Sequence, residues 1–199
     1  PEHRWHRHLS TGGGLIDHAL ASDNLTQEIT DAGERGVPYS GPHPGARTTP
    51  DGTELEWSTA HEAAGAGHAL PFLIEDITDR SLRVPGGRDP EHSNGVFGIQ
   101  SLLIAVRDLE NTAALYSGVL GSDPMQGDQA TTTEQDTEAV VFQAGRHTIE
   151  LHQPVGEGPM QDQLNSRGDG PYAAVFHGTS AHQFDLEKTG GARLSAIVR

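Results

Sequence analysis

Gly14-Leu15-Ile16-Asp17-His18-Ala19-Leu20-Ala21-Ser22-Asp23-Asn24-Leu25 is echoed in Gly98-Ile99-Gln100-Ser101-Leu102-Leu103-Ile104-Ala105-Val106-Arg107-Asp108-Leu109. Each stretch reads as an apolar strand that passes through an acidic turn into a helix. Each is followed by strand-like segments ending in an apolar run that carries a glutamate. In the first copy the run is Leu70-Pro71-Phe72-Leu73-Ile74-Glu75, and in the second His147-Thr148-Ile149-Glu150-Leu151. A repeat of whole supersecondary units implies modules that pair in one sheet, with any site lying between them.

Working outward, residues 1–13 form a polar tail that ends in a flexible glycine run. The first βαβββ module spans 14–78. Its helix is expected to start at the N-cap Asn24, present Leu25, Ile29 and Ala32 on one face, and end near Gly33 or Gly36. Residues 37–52, rich in Pro and Gly, read as an extended loop, and Pro50-Asp51-Gly52-Thr53 as a turn. A Pro/Gly/Arg-rich linker follows at 79–95. The second βαβββ module spans 96–155. It has a helix at 109–120 closed by Gly121, a strand at 137–142, a hairpin turn at 144–146 and a partner strand at 147–153. A partial third module occupies 170–199, with a strand from Tyr172 and a short helix around 183–188. The fold class is therefore α+β, made of repeated βαβββ modules with curved mixed sheets.

Composition sets limits on function. The chain has 199 residues, a formal net charge of −15 and a single lysine, Lys188. An acidic surface poor in lysine suits concentrated salt, which screens its self-repulsion. The expectation is a halophilic, cytoplasmic protein. No basic stripe exists to neutralise phosphates, so nucleic acid is not an expected partner. No apolar run reaches membrane-spanning length, so no membrane partner is expected either. The absence of cysteine excludes disulfides, thiolate metal sites and cysteine nucleophiles. His3, His6 and His8 form only a short cluster with Arg4 and Arg7. Neither a phosphate loop nor a nucleophile elbow is present.

Several residue types suit chemistry. His18 stands at a strand start, where imidazole suits a divalent metal or a structural hydrogen bond. Glu75 and Glu150 lie at apolar strand ends and must be paired, metal-bound or at an open edge. Strand alternation puts Glu150 and His152 on one face, with Ile149 and Leu151 on the other. Arg47 suits a carboxylate or phosphate on a substrate, or a loop salt bridge. Trp57 suits a pocket wall or a core position.

The element order and the wording of the repeats resemble the vicinal oxygen chelate (VOC) superfamily, and within it the glyoxalase-like domain group. The matching words are Gly14 to Leu20, Arg47-Thr48-Thr49-Pro50-Asp51-Gly52 with Trp57, and Leu70 to Glu75. Asn94 to Leu109, with Tyr116 and Leu120-Gly121, match the start of a next module. The resemblance implies paired modules curling a cup around a site. It also implies a divalent metal (Mn, Fe, Ni or Zn) held by first-strand histidines and last-strand glutamates. Carried over, His18, Glu75, Glu150 and His152 are the metal candidates, Glu150 the catalytic candidate, and Arg47 and Trp57 the substrate-binding candidates. Leu102 stands opposite His18 in the repeat, so the second histidine is missing. The group also implies one further module upstream, absent here, whose free edge invites pairing into a homodimer. Three readings follow. One is a metal-dependent lyase, isomerase or dioxygenase acting on a small oxygenated metabolite. The second is a metal-free small-molecule-binding protein, and the third a truncated module with an interaction role.

Overall fold

The computed structural model describes residues 5–6, 13–63, 65–84, 92–126, 130 and 136–198. Of the sequence features above, His3, Arg4, Arg7, His8, most of the linker core (85–91) and much of the acidic segment at 122–136 lie outside the described residues. The first module runs β1 (Ala19–Ala21), α1 (Leu25–Glu34), β2 (Tyr39–Thr48), β3 (Glu54–Glu62) and β4 (Phe72–Asp76), followed by a one-turn α2 (Arg80–Arg83). The second runs β5 (Val96–Ala105), α3 (Leu109–Leu120), β6 (Thr137–Ala144) and β7 (His147–Pro154). The remainder is α4 (Pro159–Arg167), β8 (Gly170–Gly178), β9 (His182–Gln183) and β10 (Arg193–Val198).

The sheets show how the repeat is built. The first is four-stranded, in the order β1-β4-β3-β2, with β1 parallel to β4. The second is six-stranded, in the order β6-β7-β5-β8-β10-β9. Within it β5 runs parallel to β7, β7 is antiparallel to β6, and β8 runs parallel to β10. Each unit thus pairs its first strand with its last. The expectation that the first two modules share a sheet is overturned. β5 pairs with β8 of the third unit, antiparallel and over its whole length, and among the described residues it has no strand partner in the first module.

Helix signals act where the sequence places them. The Asn24 side chain accepts from the Gln27 N–H and caps α1; Asp108 does the same for α3 through Asn111. Gly121 closes α3 in the left-handed region at φ 65°, where glycine carries no Cβ penalty. The stretch at 37–52 is not a loop, because Tyr39–Thr48 forms β2. β2 is an edge strand, the one place where prolines such as Pro42 and Pro44 do not break a ladder. α4 was not foreseen. The short helix expected around 183–188 is a turn, preceded by the two-residue β9.

The two modules stand back to back. Leu25, Ala32, Val37, Ala60 and Leu73 of the first share one core with Ile104, Tyr116, Phe142, Ile149 and Leu151 of the second. α1 and α3 lie between the sheets and touch each other. The segment that follows α1 meets α3 at Gly118. A Cβ there would stand 2.4 Å from Cγ2 of Val37, and the Arg35 Nε–H donates to the Gly118 carbonyl at 2.6 Å. Val37 is buried and stiff, so it has little room to yield. Gly118→Ala is expected to cost about 1–3 kcal/mol, an overpacking penalty set against alanine's better helix propensity, measured by urea unfolding.

Candidate functional site

The repeat puts the glutamates in different roles. Ser22 N–H donates to the Ile74 carbonyl, and Val106 N–H to the His152 carbonyl. Ile74 and His152 are therefore equivalent, and the residue after each is Glu75 or Gln153. A Glu75 oxygen accepts from Leu25 N–H at 3.1 Å; the Gln153 oxygen accepts from Leu109 N–H at 2.8 Å. Both side chains satisfy the first amide of their module's helix. Glu75 thus corresponds to Gln153, and Glu150 corresponds to Phe72. Glu75 and Glu150, although each ends an apolar run, are therefore not equivalent positions.

His18 lies just before β1, and its Nε2 is 2.8 Å from the Tyr116 hydroxyl. That hydroxyl donates to the Ala69 carbonyl, also at 2.8 Å, so His18 Nε2–H is the donor to the phenol oxygen. Tyr116 is fully buried on α3, and burial pushes its phenol well above the ordinary range. His18 is therefore held toward the core between the modules. The Tyr116 role was invisible in the sequence, because it depends on two modules meeting.

Glu150 and His152 share a face of β7, as alternation expects, and both are buried. The His152 Nε2 lies 3.3 Å from a Glu150 oxygen, and its Nδ1 lies 3.0 Å from the Thr137 hydroxyl. His152 is in register with Ala105, which belongs to a second cluster with Met160 and Leu164 of α4 and Tyr172. Ser101, two residues from Leu103 along the same face, is fully buried.

Arg47 and Trp57 occupy the other sheet. There Ala60 and Leu73 point into the common core, while Trp57, Thr59, His61, Phe72, Ile74 and Asp76 turn to the opposite face and are half-buried. The indole of Trp57 lies over Gly45 of β2, where any Cβ would stand 2.4 Å from its nitrogen. His61 packs against Phe72 and His43 at ring distances of 5.7 and 6.2 Å. Arg47 is exposed on the edge strand. Arg83 of α2 grips Asp76 with two hydrogen bonds, one of them at 2.8 Å. Those bonds hold the Asp76 carboxyl below its ordinary value of 3.8.

A divalent metal would need His18, Glu75 and Glu150 to converge. Glu75 belongs to the four-stranded sheet, with His18 just before its strand β1, and Glu150 belongs to the six-stranded sheet. His18 is bonded to Tyr116, Glu75 to an α1 amide and Glu150 to His152. Among the described residues, no group of three His, Cys, Asp or Glu side chains forms a metal cradle. The donor set does not fit the metal that the resemblance implies.

A family model described as a glyoxalase-like domain matches residues 1–120. The chain belongs to the glyoxalase-like domain family. Its fold is that of the VOC superfamily. A solved structure of a hypothetical protein from Staphylococcus aureus superposes with a TM-score of 0.65 at 10% identity, covering 91% of this chain and 65% of that one. This chain therefore spans less than two thirds of that protein's length. A methylmalonyl-CoA epimerase from Mycobacterium tuberculosis gives a TM-score of 0.46 at 16% identity, covering 54% of this chain and 91% of that one. A methylmalonyl-CoA epimerase in complex with methylmalonyl-CoA and NH4+ gives 0.43 at 14% identity, covering 52% and 94%. No curated protein matches the chain. Among the described residues, no helix is long and apolar enough to cross a membrane.

Two outcomes follow from this glyoxalase-like arrangement. Glu75→Gln keeps the acceptor for Leu25 N–H and should change stability by less than about 1 kcal/mol, the size of the lost charge–dipole interaction. Glu75→Ala orphans the amide and should cost about 1–2 kcal/mol in the same urea titration. Asp76 gives a pH signature. Its carboxyl is lowered in the folded state, so the stabilisation is fully present above the unfolded value and is lost as pH falls through the folded one. Asp76→Asn should be less stable than wild type at neutral pH, and the gap should close in acid, as read from melting temperature against pH.

Proposed function

We propose that the chain is a metal-free small-molecule-binding member of the glyoxalase-like family, with its ligand on the curved face of the four-stranded sheet. One observation carries this reading: His18, Glu75 and Glu150 are divided between two sheets, and each is committed to another partner. The same sheet leaves Trp57, His61 and Phe72 half-buried as an aromatic platform. Arg47 stands at its rim, and the Arg83–Asp76 pair bounds another part of the same face. Aromatic faces with a few placed polar groups are what small oxygenated metabolites bind. A guanidinium at the rim suits a carboxylate on such a ligand. In this reading Glu150 orients His152 and does not meet a reacting atom.

The test combines metal analysis with binding. Protein without a histidine tag is purified in concentrated potassium chloride and analysed for Mn, Fe, Ni and Zn. It is then titrated with 2-oxo acids, catechols and acyl-CoA thioesters, following tryptophan fluorescence and melting temperature. Saturable binding that chelator leaves unchanged is expected. Trp57→Ala and Arg47→Ala should each weaken it about tenfold, or 1.4 kcal/mol. Stoichiometric metal that both His18→Ala and Glu150→Ala lose would overturn the reading in favour of a metal-dependent lyase, isomerase or dioxygenase.

A further inference from the structure

A cleft lies where the modules meet. It has a volume of about 580 Å3 and is lined by His68 of the first module, Arg107, Asp108 and Asn111 around the start of α3, and Arg167 at the end of α4. The size suits a small metabolite.

Its charges are unevenly committed. Arg107 is paired with Asp169 at 3.0 Å and also donates to the Leu164 carbonyl. Asp108 is held as the cap of α3, accepting from Asn111 N–H at 3.0 Å. The His68 ring lies 3.6 Å from Asp17. On the neighbouring wall, the carboxylate of Glu62 is wrapped by the N–H groups of Gly65, Ala66 and Gly67, so that loop's amides are already used. Arg167 differs. It is half-buried, and among the described residues no hydrogen bond or ion pair ends on its guanidinium. It fits over the backbone of Gly14, where a Cβ would stand 2.9 Å from its Nη1. Gly14 also has φ +103°, which L side chains rarely adopt. The backbone there leaves room for a planar guanidinium.

An arginine at a cleft wall with five donors and no acceptor is unusual in a chain with 28 acidic and 13 basic residues. An oxyanion satisfies it: the guanidinium fork matches two oxygens of a carboxylate or phosphate. We infer that the intermodule cleft binds a small metabolite through its carboxylate or phosphate, with Arg167 as the principal contact and Asn111 beside it. Because His68 comes from the first module, Asn111 from the second and Arg167 from the segment after it, such a ligand would tie all three together.

The experiment titrates the full chain at low salt with two probes, inorganic phosphate and succinate, by calorimetry. The stronger probe identifies which oxyanion the cleft prefers. Saturable binding of at least one is expected. Arg167→Ala should weaken it at least tenfold, whereas Arg146→Ala, an exposed arginine in the β6–β7 turn, should leave it unchanged. In parallel, wild type is treated with phenylglyoxal and its arginines are read by mass spectrometry. The bound probe should slow modification of Arg167 and not of Arg146, a readout that needs no variant to fold. Absence of saturable binding, equal loss in both variants, or modification of Arg167 that neither probe slows would overturn the inference.

Discussion

The close approach of α1 and α3 governs this molecule. Each sheet needs one face covered, and each module supplies a single long helix to do it. Neither helix is wide enough to seal its sheet alone. Placing both helices between the sheets lets Leu25, Tyr116 and Phe142 share one core. Just beyond the end of α1, Val37 meets α3 at Gly118, where a Cβ would stand 2.4 Å from its Cγ2. Arg35 crosses the seam to the Gly118 carbonyl, near the end of α3 where a cation is favoured. His18 and Tyr116 are locked together by the same packing, and so is the intermodule cleft.

The same constraint explains the site geometry. With the helices inside, the other faces of the two sheets point away from each other. Residues that a shared cup would bring together are held apart. His18, at the start of the first sheet, turns to a phenol on the neighbouring helix. Glu150 stays on the far face of the second sheet and finds His152. Polar groups in such surroundings must find partners: His18 finds its own across the module boundary, and Glu150 finds its own on the same strand.

Local features were readable in the sequence, and long-range ones were not. Asn24 and Asp108 act through backbone amides three residues away, so their capping is written in a few letters. The α3 boundaries follow from a cap and a glycine. β2 is concealed in the sequence because its prolines signal a loop, while an edge strand accepts them where a central strand would not. The match between Glu75 and Gln153 was hidden by spacing. Glu75 lies 50 residues from the amide it serves and Gln153 only 44, so comparison by wording alone slid to Glu150. The β5–β8 pairing depends on a third unit whose helix is missing, and no local pattern announces it.

The edge strand β2 also bears on how the protein keeps to itself. An exposed edge offers a row of free amides to any other chain with the same need. Here two prolines remove donors from that row, and the ladder to β3 shifts register between Ser40 and His43. The opposite edge, β1, is only three residues long. The first sheet therefore carries its half-buried aromatic face without its edges acting as a template for fibres, so the chain is guarded against aggregation on that side.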